Sequence, residues 1–123
     1  MENASNYTEV EKNKMIKKEF SKFKKTYKEL AKDKKETVLY LMQNAAFMSV
    51  TLTDLQETIN REGTISEYQN GENQWGTKKS PEVETYNTMI KNYMGIIKQL
   101  TDLLPKEAPK IEDDGFEAFV NRK

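Results

Sequence analysis

The chain contains neither cysteine nor histidine. Without cysteine there are no disulfides, no thiolate metal sites and no thiol nucleophile. Without histidine the usual general base, the commonest metal ligand and the Ser-His-Asp arrangement all fall away. Arginine is scarce, at two residues against eighteen lysines, so the commonest bidentate reader of guanine is nearly absent too. No glycine-rich loop runs into a Lys-Ser/Thr step, which leaves no nucleotide motif. Nothing resembles a signal peptide, and no uninterrupted apolar run approaches the ~20 residues of a membrane span. A soluble intracellular protein without membrane contact is expected. It is expected to be non-enzymatic, with no cofactor and no bound metal. The acidic run Glu112-Asp113-Asp114 reads as solubilising, because its neighbours offer nothing to orient metal ligands.

What is present is charge and helical periodicity. Of the 123 residues 33% are charged and 36% apolar, the profile of helices with wide solvated faces. The net charge of zero hides an asymmetry: residues 1–35 carry eleven lysines against six acids. The best-specified element is SPEVETYNTMIKNYMGIIKQLTDLLP, residues 80–105. Tyr86, Ile90, Tyr93, Ile97 and Leu100 recur at steps of three and four, one stripe of a helix roughly 35 Å long. Ser80 suits an N-cap, Pro81 the first turn, and Pro105 the end. That stripe serves either the chain's own core or packing between subunits, and both uses stay open.

Residues 1–9 are expected to be disordered. Residues 10–31 read as helix, with Ile16, Phe20, Phe23, Tyr27 and Leu30 forming an apolar seam. At 100° per residue, Lys14, Lys17, Lys18, Lys24, Lys25, Lys28, Lys32 and Lys35 share an arc of roughly 120° opposite that seam. Aligned lysines neutralise phosphates and give salt-sensitive, largely sequence-blind affinity for nucleic acid. The competing reading is a merely solvated outer face.

The rhythm breaks at residues 32–35. Asp33 with Glu36 could form a capping box that opens a second helix, and one long bent helix is the alternative. The second helix extends to about Glu62, with Gly63 as its C-terminal glycine. In residues 64–79, Asn70-Gly71 favours a tight hairpin turn between Ile65, Tyr68 and Trp75. Such a hairpin needs packing against a helix, and Trp75 is the expected anchor. Beyond Pro105 the tail is acidic and flexible, with an apolar island of Phe116, Phe119 and Val120.

The stretch NQWGTKKSPEVETYNTMIKNYMGIIKQLTDLLPKE resembles the C-terminal half of small terminase subunits of the P27 type, from tailed phages and prophages of Gram-positive hosts. The shared features are a helix ending in glycine, a hairpin-like segment, and a polar-Pro step (Ser80-Pro81) opening a long helix. Asn87 one turn in, the aliphatic run from Leu100 to Pro105 and the ending EDDGFEAFVNRK complete the likeness, over roughly residues 35–120. The resemblance implies a DNA-packaging adaptor of the bacterial host cytoplasm. It would bind double-stranded phage DNA, assemble as a homo-oligomeric ring and deliver DNA to the large terminase subunit, which carries the ATPase and nuclease. Phe116, Phe119 and Val120 would then dock on that partner. A helical scaffold protein with no nucleic-acid role is the rival. The expected architecture is all-α: a helical bundle over residues 10–105 with long N- and C-terminal helices, and a small β-hairpin (64–79) inserted before the last helix. Residues 106–123 form the flexible tail.

Overall fold

The computed structural model describes residues 5–32 and 35–105. Helix α1 spans Glu9–Thr26, α2 Lys28–Lys32, α3 Glu36–Glu62 and α4 Pro81–Asp102, with strands β1 (Ile65–Gly71) and β2 (Gln74–Lys79) between α3 and α4. The described residues are thus mostly helical, with one antiparallel hairpin ahead of the last helix, as expected.

Helix α1 opens on a capping box. The Glu11 N–H donates to Thr8 Oγ1 at 3.1 Å and the Thr8 N–H donates to Glu11 Oε1 at 2.8 Å. Two of the orphan donors at this helix start are thereby satisfied. The helix stops at Tyr27, whose backbone (φ −110°, ψ 44°) leaves the helical region. Its carbonyl still accepts from the Leu30 and Ala31 N–H groups, which starts the short α2. No glycine or proline marks this break. The cause is packing: Tyr27 is only 2% exposed, and its hydroxyl lies 3.1 Å from Thr101 Oγ1 on α4.

Helix α3 is central, and α1 and α4 both pack along it. Tyr27, Val38, Met42 and Leu100 form the buried cluster, with Phe20, Phe23, Leu30, Ile96 and Leu104 packed around it. Ala45 and Ala46 are fully buried and let the flanking helices approach closely. The residue preceding α3 is Lys35, which has no side-chain cap bond. A lysine side chain carries no acceptor, so it cannot act as the expected carboxylate cap. Asp33 itself lies outside the described residues. The far end behaves as read from the sequence: Gly63 adopts φ 89° and its N–H donates to Ile59 O. At α4, Ser80 Oγ accepts from the Val83 N–H at 3.3 Å and Pro81 occupies the first turn.

The hairpin turns one pair later than Asn70-Gly71 suggested. The two-residue loop is Glu72-Asn73, with Asn73 at φ 65° and Gly71 paired to Gln74. A bulge between Gln69 and Gly71 absorbs the offset. This register sets Tyr68 opposite Gly76. A Cβ on Gly76 would meet the Tyr68 ring at 2.7 Å, so the ring covers bare glycine backbone, a cross-strand pairing that stabilises one register over another. Trp75 does not anchor the hairpin on a helix. It is 67% exposed, and Ile65 and Tyr68 are exposed as well.

Candidate nucleic-acid interface

Helix α1 is held by its N-terminal end as well as by its seam. Ahead of α1, within the stretch expected to be disordered, one carboxylate gathers Ser5 and Asn6. Asp54 Oδ2 accepts from Ser5 Oγ at 2.6 Å, and Oδ1 accepts from the Asn6 backbone N–H at 2.8 Å and from Asn6 Nδ2 at 2.7 Å. Lys12 Nζ adds an ion pair at 3.4 Å. Asn6 Nδ2 also reaches Thr58 Oγ1 at 3.0 Å, and the Arg61 guanidinium donates to Asn6 Oδ1. Burial alone would raise the Asp54 pKa, but the bonds from Ser5, Asn6 and Lys12 outweigh it and hold the carboxyl below its ordinary value. Nearby, the Tyr7 hydroxyl donates to Glu57, and that bond raises its pKa to about 12.

Sequence reading passed over this clasp, yet a signal was there. Asp54 is the sole charged residue between Glu36 and Glu57, and a solitary charge on a neutral helix needs partners when buried. Lys12 lies off the arc of the basic row, and it is the lysine that meets Asp54.

With α1 fixed in this way, the seam turns inward. Phe20 and Phe23 pack on the core, and the Phe23 and Tyr27 rings stack with centroids 6.5 Å apart. Glu19, the acid midway along α1, accepts from Ser49 Oγ of α3 at 3.1 Å and pairs with Lys22. Its charge is therefore drawn toward α3. Lys14, Lys17, Lys18, Lys24 and Lys25 are all exposed on α1. From Lys14 to Lys25 the helix rises roughly 16 Å, a length over which a duplex, at one charge per ~1.7 Å, carries several phosphates. Lys24 also lies with Nζ 4.6 Å from the Phe20 ring centroid, so its stem follows the helix surface.

The eight-lysine row is not one helix face. Lys28 and Lys32 sit on α2, beyond the break at Tyr27, and Lys35 precedes α3. All three are exposed. The constant 100° step does not survive the non-helical ψ at Tyr27, so only the five members of the row on α1, Lys14, Lys17, Lys18, Lys24 and Lys25, keep that arc.

The α4 stripe is used within the chain. Ile97 and Leu100 are buried, Tyr86, Ile90 and Tyr93 half-buried. Tyr86 Oη accepts from Gln56 Nε2 of α3 at 3.0 Å. Tyr93 and Ile97 join Phe23 and Tyr27 around a cavity of about 150 Å³. Phe116, Phe119 and Val120 lie outside the described residues. Among the described residues, no group of three His, Cys, Asp or Glu is placed to hold a metal, and no helix is long and apolar enough to cross a membrane. Compared with models of protein families, with curated proteins and with solved structures, the chain finds no match.

Proposed function

We propose that this chain is a non-enzymatic DNA-packaging adaptor of the small-terminase kind. It holds double-stranded phage DNA through the outer face of α1 and passes it to a large subunit that supplies ATPase and nuclease. The observation carrying this reading is the exposed lysine face of α1, set opposite a seam that packs inward, with Glu19 turned toward α3. Such a face binds phosphates without reading bases. That suits an adaptor whose partner does the cutting. The sequence likeness over residues 35–120 supplies the packaging role, self-assembly as a ring, and the large subunit as partner of Phe116, Phe119 and Val120.

Duplex retention on filters tests the DNA contact. The wild-type chain is expected to retain duplex at low salt, and the variant with Lys14, Lys18, Lys25 and Lys28 changed to Glu to lose most of it. Equal retention by the two proteins would leave the lysines idle and favour a helical scaffold.

A further inference from the structure

The two strongest charge runs of this chain have opposite signs. Residues 12–28 carry eight lysines and one acid, Glu19, whereas residues 111–121 carry four acids and no base. Lys12 is engaged by Asp54 and Lys22 by Glu19, while Lys14, Lys17, Lys18 and Lys24 are exposed along α1. The last turn of α4 decides where the acidic segment sets out. Thr101 Oγ1 lies 3.1 Å from the Tyr27 hydroxyl, and Leu104 packs on the same buried cluster as Leu30 and Ala31 of α2. The chain therefore leaves the helices at Pro105 beside the junction of α1 and α2, at one end of the basic run. From Pro105 to Glu112 it reaches at most about 25 Å, roughly twice the 10–12 Å diameter of a helix with its side chains. That length carries the acids round to the outer face of α1.

We infer that residues 111–121 bind the lysine face of α1 in the same chain and compete there with nucleic acid. The consequence for DNA rests on the proposed function, whereas the pairing itself does not require it. The occupant follows from charge and tethering. A single exposed ion pair contributes little. Glu112, Asp113, Asp114 and Glu117 act together on one short tether, which holds them near α1 at an effective concentration of order millimolar. Salt screens this pairing as it screens the duplex contact, so the competition is strongest at low salt. In the adaptor reading, capture of Phe116, Phe119 and Val120 by the large subunit draws the same segment away. The lysine face is then uncovered where the DNA is to be delivered.

Zero-length carbodiimide coupling of the full chain, without DNA, reads the contact directly. Amide links from the four acids are expected on Lys14, Lys17, Lys18 and Lys24 well above their frequency on Lys78, Lys79 and Lys91, which are equally exposed elsewhere. In an equal mixture of isotope-labelled and unlabelled protein, those links should join peptides of one label. In parallel, E112Q/D113N/D114N/E117Q is compared with E62Q/E67Q/E72Q/E84Q, which removes the same charge from exposed acids outside the segment. At low salt the first variant is expected to bind duplex roughly tenfold more tightly than the second, and the gap to close as salt rises. Links spread evenly over the lysines, or running mainly between differently labelled copies, would overturn the inference. Equal duplex affinity of the two variants would overturn it too. If neither variant nor wild type retains duplex, the proposed DNA contact fails, and the coupling pattern alone decides the pairing.

Discussion

The backbone N–H of Asn6 donates to Asp54 Oδ1 at 2.8 Å, joining residues 48 positions apart. This bond ties the segment ahead of α1 to the later turns of α3. With the Ser5 and Lys12 contacts it makes Asp54 the fixed point from which the lysine face of α1 is presented. Replacing Asp54 by Ala removes an acceptor for several donors at once. A loss of about 2–3 kcal/mol is expected, a fall in Tm of about 10 °C by the usual scaling. Thermal unfolding by circular dichroism measures it.

The same carboxylate predicts a pH signature. Its folded pKa lies below the ordinary 3.8. Its contribution is therefore fully present above that value and is lost as pH falls through the folded pKa. Wild type should exceed D54N in stability by a constant margin between pH 7 and 5, and the margin should shrink below about pH 4. Other carboxylates titrate in that range in both proteins, so the difference is the readout. A margin that persists unchanged to pH 2 would assign the clasp to something other than the charge on Asp54.

Tyr27 ends α1 because its ring is worth burying and its hydroxyl meets Thr101. Urea unfolding should separate the two contributions. Y27F should lose about 1 kcal/mol, the share of one hydrogen bond. Y27A should lose about 3–5 kcal/mol, as for a large buried ring. If the two variants behave alike, packing of the ring does not set the break.

The hairpin supplies a contrast. Trp75 is largely exposed, so W75A should shift stability by less than about 0.5 kcal/mol. Asn73 holds a left-handed φ of 65°, and N73A should weaken strand pairing, read as faster amide exchange across Tyr68 and Gly76.

Much of this architecture could be read in the sequence because local chemistry sets it. Ser80-Pro81 and Gly63 each act within one helical turn, and both ends lie where the residues put them. The turn of the hairpin was misplaced because Asn70-Gly71 is a local signal, whereas the register obeys a cross-strand contact between Tyr68 and Gly76. The break at Tyr27 has the same origin, since Thr101 is 74 residues away and no window of sequence contains both. The candidate interface was legible up to that break. The seam and the lysines alternate with the helical period through Thr26, and the projection of Lys28, Lys32 and Lys35 assumed a helix that had already turned. Asp54 was passed over because its partners come from a segment read as frayed.

The salt dependence of duplex binding tests the lysine face most directly. Each lysine that neutralises a phosphate adds about 0.9 to the slope of log affinity against log salt. The triple variant K14Q/K17Q/K18Q, altered only on α1, should flatten that slope by roughly 2–3 while keeping the helical signal of wild type. A slope that stays at the wild-type value would contradict phosphate contact by α1, and with it the adaptor reading.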